Sequence, residues 1–426
     1  MNRPVASRRA AALAAVVLLV CLSAAVAPAH AGASVGTRIT ASLRQYGLAG
    51  SGIGVRVVET DSGRLIYARS PTTRLTPASN MKLVTSATAL SRWGAGYRFR
   101  TELYLPPEPP DTGGVLRGDV YIKGYGDPTL STSWFARHVL HRRAAHIGDF
   151  VFVLRAMGVT RIEGRIVADD TYFDRRRTVS TWSSGDWAYC EPLAALTVNK
   201  GYVDGRRAGD PPLAAARTLT RLVRRAGIQV TGKPRVRRVP SGFLLRYTEY
   251  SPPLSVVLRA MNKPSDNFFA ETLTKGLGAD FRGSGTTAAG TRVEGVFLQQ
   301  CGIAGRQFRI YDGSGLSHPD KLTAAAVSRL LRVMYGRDDY RVYWSSLSVA
   351  GRDGTLADRM RGTRAQGNVH AKTGTLTGVS CLSGYVTTAN GRPVVFSILM
   401  NRGGLSVSAA QAAQDRIAII LASSRL

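Results

Sequence analysis

Leu75-Thr76-Pro77-Ala78-Ser79-Asn80-Met81-Lys82-Leu83-Val84 decides how the rest of the chain is read, because it is a helix start carrying a serine and a lysine three residues apart. Thr76 is expected to cap the helix and Pro77 to take its first position, where the missing N–H removes no bond. Residues three apart lie side by side on a helix, so the Lys82 amine is predicted next to the Ser79 hydroxyl, near free backbone N–H groups and the positive helix end. A serine so placed suits nucleophilic attack. Alone the pair is weak evidence, since any basic protein can start a surface helix this way.

Outward from that stretch the chain reads as three parts. Upstream, residues 35–48 suit an amphipathic helix, and 54–58 and 64–68 alternate as strands joined by Asp61-Ser62-Gly63. The Ser79 helix should stop before Gly94. Residues 97–246 read as a separate unit: a strand at 98–104, a proline-rich break, a strand at 115–122, a helical region reaching Met157, a strand at 161–168 and a helix at 213–226. His138, His141 and His146 fall in that helical region without an interleaved acidic ligand, so a solvated basic helix is preferred to a metal site. Further on, helices are expected at 253–261 and 268–277 with Ser265-Asp266-Asn267 in the turn between them. Asp312-Gly313-Ser314-Gly315-Leu316-Ser317 reads as a tight turn near the cleft. Strands at 379–386 and 393–400 and a helix at 409–421 close the chain.

The first residues carry Arg3, Arg8 and Arg9, an alanine-rich apolar run at 10–27 and Ala29-His30-Ala31, the pattern of a cleaved export signal at 1–31. No later apolar stretch approaches the ~20 residues of a membrane helix. The remaining 395 residues exceed one compact core, so two domains are expected. The net charge of +29 comes from 49 arginines and eight lysines and is read as spread along the chain. With no nucleic-acid motif, an anionic cell-wall polymer is the expected partner rather than nucleic acid. Cys190, Cys301 and Cys381 allow at most one internal disulfide, and Cys381 reads as a buried small side chain.

Three short motifs carry the chemistry. Lys82 activates Ser79 if its amine is neutral, and burial beside a second cation, Lys372, lowers the pKa of such a group. Ser265 would pass a proton to the departing amine and Asn267 would present its amide to the substrate backbone. Lys372-Thr373-Gly374-Thr375 fits the start of an edge strand: Gly374 permits close approach, and Thr373 and Thr375 bond a carboxylate that Lys372 attracts. The backbone N–H groups of Ser79 and Thr375 would form an oxyanion hole. The reaction is acyl transfer through a serine ester, with neither metal nor cofactor.

In this order S-x-x-K, S-D-N and K-T-G resemble the motif set of penicillin-binding proteins and serine β-lactamases. The likeness extends to Tyr250-Ser251-Pro252-Pro253-Leu254, Met261 onward through Glu271, residues 312–317, Asp353-Gly354-Thr355-Leu356, 371–376, 124–130 and Ala168-Asp169-Asp170. These resemble the class C penicillin-binding proteins, D-alanyl-D-alanine carboxypeptidase/endopeptidases of the penicillin-binding protein 4 type. The resemblance implies an α/β, transpeptidase-like (serine β-lactamase-like) domain at 32–96 and 247–426, with a central antiparallel sheet flanked by helices, a helical subdomain, and an inserted domain at 97–246. It implies an exported, extracytoplasmic enzyme of the cell wall or periplasm that acts on peptidoglycan stem peptides and is inhibited by β-lactam antibiotics. The 186 residues between Ser79 and Ser265 are few for the family, so a nested third domain is expected to be reduced or missing. The alternatives are a serine β-lactamase, whose deacylating carboxylate neither Glu271 nor Glu294 resembles, and a catalytically silent wall-binding scaffold.

Overall fold

Two apolar runs near the end of the chain hold its centre. Val379–Thr387 and Pro393–Asn401 pair antiparallel along their whole length, joined by a turn in which Gly391 takes φ 81°. The computed structural model describes residues 34–141 and 143–426; the export signal read at 1–31 lies outside them. Around this hairpin grows a six-stranded sheet in the order Ser348–Val349, His370–Leu376, Val379–Thr387, Pro393–Asn401, Ile53–Glu59, Leu65–Arg69. Every pair in it is antiparallel. Its central strands are buried on both faces instead of alternating, and the serines among their apolar residues are satisfied inside: Ser383 bonds Ser397, and Ser380 accepts from Gln414. Helices Val35–Gln45 and Val407–Ser423 cover one face, and Ala324–Tyr335 covers the other.

Beyond Ala324–Tyr335 lies a helical subdomain built from Met81–Trp93, Leu254–Asn262, Asn267–Arg282 and Thr287–Gln300. The cleft runs between this subdomain and the His370–Leu376 strand. That strand pairs with Ser348–Val349 only through His370 and Ala371, so from Lys372 onward it is an edge, as the motif reading requires.

The middle unit has its own core, drawn from residues 103–230. A five-stranded sheet, Arg235–Val236, Ile166–Asp169, Val120–Gly124, Arg100–Leu105, Leu244–Tyr250, mixes parallel and antiparallel pairs and is packed by helices Asp149–Ala156 and Pro211–Arg225. Its strands are shorter than the alternation suggests. Gly118, at φ 120°, splits 115–122 into Val115–Arg117 and Val120–Gly124. Beside it, 161–168 divides at Gly164 into Arg161–Glu163 and Ile166–Asp169, where only a glycine fits because a Cβ would fall 2.1 Å from the Gly118 carbonyl oxygen. The helical region expected up to Met157 is instead one turn at Ser133–Phe135, a π-turn at Ala136–Leu140 and the helix Asp149–Ala156. His138 lies in the π-turn, His141 is its left-handed terminus, and His146 bridges to Ser131.

One part of the middle unit leaves that core. Val179, Trp182, Cys190 and Leu193 pack into the helical subdomain with Phe268 and Phe269. Cys190, Cys301 and Cys381 are all buried and free.

Candidate active site

Ser79 does not stand in the first turn of an α-helix capped by Thr76. It is the middle residue of a 3₁₀ turn, Ala78–Asn80, and the α-helix begins at Met81. The Thr76 hydroxyl instead donates to the His318 carbonyl and accepts from Lys321 Nζ. Ala78 takes φ 46°, a left-handed conformation costly for a residue with a Cβ. Two glycines clamp this turn. A Cβ on Gly315 would fall 1.9 Å from the Ala78 carbonyl oxygen, and one on Gly374 would fall 2.8 Å from that of Pro77 and 3.1 Å from Ser79 N. The glycine of the K-T-G motif therefore lets the strand lie directly against the serine turn.

The Lys82 ammonium reaches three oxygens: Ser79 Oγ at 3.0 Å, Asn267 Oδ1 at 2.6 Å and the Ser314 carbonyl at 2.7 Å. Across the cleft Lys372 Nζ donates to Ser265 Oγ at 2.8 Å and to the Thr373 carbonyl at 3.1 Å. Both lysines are fully buried, while Ser79, Ser265, Asn267 and Thr373 are partly exposed. Ser265 is itself left-handed, at φ 64°, at the turn that leads into helix Asn267–Arg282. Thr373 Oγ1 donates to Thr355 Oγ1 at 2.8 Å, and Thr375 is exposed on the same strand. All eight motif residues thus meet at one cleft.

Burial pushes Lys82 down to about 8, opposed by the charges of Asp312, Glu271 and Asp266. Lys372 is not the cause, contrary to expectation: desolvation depresses Lys82, and it is Lys372 that feels its neighbour. Lys372 lies well below the usual lysine value, chiefly through burial and then through repulsion by Lys82. A carboxylate arriving beside Lys372 favours its charged form, the condition for recognising a substrate C-terminus. The shift in Lys82 predicts a pH profile. With its neutral form as the base, the rate constant for acylation by a β-lactam should rise about tenfold per unit below pH ~8 and level off above. Stopped-flow acylation measures this; a rate independent of pH through that range would rule out Lys82 as the base.

The turn 312–317 packs under the site, as expected, and supplies the Ser314 carbonyl to Lys82. Glu271 accepts the Gly313 and Ser314 N–H groups, and Asp312 accepts those of Gly315 and Ser317 together with Trp182 Nε1. Glu271 is fully buried and committed to this turn, so it is no deacylating base. Burial raises its pKa well above the ordinary carboxylate value.

Besides the Trp182 bond to Asp312, the middle unit makes two contacts with the S-D-N turn. Asn267 Nδ2 donates to the Tyr189 carbonyl at 2.9 Å, so the Asn267 amide is already engaged there. Lys200 Nζ pairs with Asp266 at 2.7 Å and with Glu191 at 3.0 Å. Asp266 in turn caps helix Asn267–Arg282 through the Phe269 N–H. Asn199, Lys200 and Gly201 take φ of 54°, 55° and 82°, and this left-handed turn aims the lysine at Asp266. The Asn-Lys-Gly sequence is the signal that could have marked the turn. Thr355, in Asp353-Gly354-Thr355-Leu356, was the other residue missed.

The chain matches the model of the D-Ala-D-Ala carboxypeptidase 3 (S13) family over residues 36–208 and 204–424. It is 34% identical to a D-alanyl-D-alanine carboxypeptidase of Actinomadura sp. (strain R39), over 98% of this chain and 90% of that one. The fold resembles that of penicillin binding protein 4 from Haemophilus influenzae, with a TM-score of 0.78, 21% identity, and 91% and 99% of the two chains covered. That protein complexed with a novel β-lactam gives a TM-score of 0.68, at 21% identity over 89% and 98%. A predatory peptidoglycan endopeptidase from Bdellovibrio bacteriovorus gives 0.55, at 19% identity over 85% and 90%.

Proposed function

Because the chain belongs to the D-Ala-D-Ala carboxypeptidase 3 (S13) family and is a serine-type D-Ala-D-Ala carboxypeptidase, we propose that Ser79 is its nucleophile and Lys82 the base that activates it. The observation that carries this assignment is the pairing of two buried amines with two serine hydroxyls, Lys82 with Ser79 and Lys372 with Ser265, across one cleft. Neutral Lys82 takes the Ser79 proton as Oγ attacks the carbonyl before the terminal D-Ala. The N–H groups of Ser79 and Thr375 stabilise the oxyanion. Ser265, held by Lys372, relays a proton to the departing amine and is reprotonated from the lysines, which restores neutral Lys82 before water opens the ester.

The substrate is the stem peptide of peptidoglycan, and β-lactams acylate the same serine. An endopeptidase activity on crosslinked stems would need the same cleft to take a second stem beside the unpaired edge of the Lys372 strand. The domain from 97 to 246 flanks that cleft and positions the S-D-N turn through Tyr189 and Lys200. Among the described residues no helix is long and apolar enough to cross a membrane. The export signal read at 1–31 and the net charge of +29 support a place in the cell envelope, on anionic wall polymer.

Labelling with fluorescent penicillin tests the reading. A lasting label with release of D-Ala from a defined pentapeptide is expected, rapid turnover of the label would mean a β-lactamase, and no label a scaffold. Thr373→Val separates recognition from chemistry. It removes the hydroxyl that meets the substrate carboxylate, so kcat/KM should fall by the equivalent of roughly 1–3 kcal/mol with Tm nearly unchanged. Unchanged kcat/KM on the pentapeptide would remove Thr373 from the carboxylate site.

A further inference from the structure

The positive charge is not spread evenly. Between residues 211 and 248 there are nine lysines and arginines and no aspartate or glutamate. The structure gathers much of this run on one face of the middle unit. Helix Pro211–Arg225 buries its alanine and leucine side against the five-stranded sheet and turns Arg217, Arg221, Arg224 and Arg225 outward. Between this ridge and Pro234 runs an open groove of about 440 Å³, lined by those four arginines with Thr220 and Pro234 and by no carboxylate.

Little of this charge is neutralised internally. Arg221 meets Asp204 at 3.3 Å, in a pair whose aspartate is 77% exposed, and such pairs are weak. Arg224 donates to the Val230 carbonyl, which leaves its charge unpaired. A row of guanidinium groups suits phosphate better than a row of ammonium groups, because each fork can bond two phosphate oxygens. The spacing is also specific. A helix rises 1.5 Å per residue, so Arg217, Arg221 and Arg225 stand about 6 Å apart along one ridge. Phosphates linked through a three-carbon polyol are six single bonds apart and reach about 7 Å when extended, as two residues of extended chain do. The exposed Leu244 and Leu245 lie on the opposite edge strand of the sheet, away from the ridge, which disfavours insertion into a membrane.

We propose that this groove docks a linear polyol-phosphate polymer of the cell envelope, one phosphate per arginine step, holding the enzyme on the wall beside its substrate. The surface is separate from the Ser79 cleft, so it fails or stands independently of the acyl-transfer chemistry. The test uses the full mature chain and a fluorescent poly(glycerol phosphate) oligomer. The Arg217→Ser/Arg221→Ser/Arg225→Ser variant should bind at least about tenfold more weakly at ~0.1 M salt, with a shallower salt dependence. A control variant with the same charge change elsewhere, Arg44→Ser/Arg306→Ser/Arg341→Ser, should lose less than about twofold. Penicillin acylation should be unchanged in both, which shows that both are folded. Equal losses in the two variants would overturn the proposal in favour of overall charge. Tighter binding of single-stranded DNA, of polyglutamate or of anionic lipid vesicles than of the polyol phosphate would overturn it in favour of that partner.

Discussion

Ser79→Ala is expected to abolish both penicillin acylation and D-Ala release, a loss of at least ~10⁴ in rate, because the ester has no other oxygen to form on. The Ser265 and Thr373 hydroxyls are also half-buried in the cleft, but Ser265 is bonded to Lys372 and Thr373 to Thr355, and neither is bonded to Lys82. Lys82→Ala should be nearly as severe for a different reason: Oγ keeps its place and loses its base. That variant also strips a donor from Asn267 Oδ1 and from the buried Ser314 carbonyl, so a stability loss of roughly 1–3 kcal/mol should accompany it. Ser79→Ala should lose little stability, and this contrast is readable by thermal unfolding. Mass spectrometry of the penicillin adduct decides the assignment, since a label on any peptide other than the one containing Ser79 would sink it.

Gly374→Ala should lower kcat/KM by roughly 10²–10³ while leaving the protein folded. The added methyl group would lie 2.8 Å from the Pro77 carbonyl oxygen and 3.1 Å from Ser79 N and from Asn80 Nδ2. The strand must withdraw from the serine turn, and the two N–H groups that face the oxyanion move apart. Gly374 is at an edge position, so the withdrawal breaks few sheet contacts. Gly384→Ala provides the comparison: its methyl would meet the His370 carbonyl oxygen at 2.1 Å inside the sheet, and it should reduce Tm more than it reduces catalysis in the surviving folded fraction. Wild-type acylation by Gly374→Ala would show that the close approach of strand and turn is not needed.

Much of this site was legible because its chemistry sits in short, contiguous motifs. Ser79 and Lys82, Ser265 and Asn267, and Lys372 and Thr373 are each neighbours in sequence, so local geometry alone orients each pair. The central strands were readable as an adjacent pair, though the alternation expected of them gives way to burial of both faces. What the sequence hid were contacts between distant parts. Nothing local marks Lys200 as the partner of Asp266, or Tyr189 as the group that holds Asn267. The strained turn at Ala78 was hidden as well, because Pro77 followed by alanine and serine suits an ordinary helix start. Only the packing of Gly315 and Gly374 against it shows why another conformation wins. In the middle unit, 128–157 has helical composition, yet only part of it is α-helical, and Trp134, Val139 and Phe152 stay exposed instead of completing an apolar helix face.

The pairing of Ile53–Glu59 with Pro393–Asn401 has a kinetic consequence. Thr76 and Asn401, which join the serine turn to that sheet, are 325 residues apart in the chain, and they bond in both directions. The first hairpin is therefore made early and waits for strands that are made last, while the middle unit, whose widest pairing joins Arg100 to Tyr250, can close on its own before the C-terminal strands exist. Contacts of such long range are slow to form, and an edge left unpaired meanwhile invites aggregation. Refolding from denaturant should accordingly regain the middle unit's secondary structure before any capacity to bind penicillin, and the lag between the two is the time the chain spends with its first and last strands still apart.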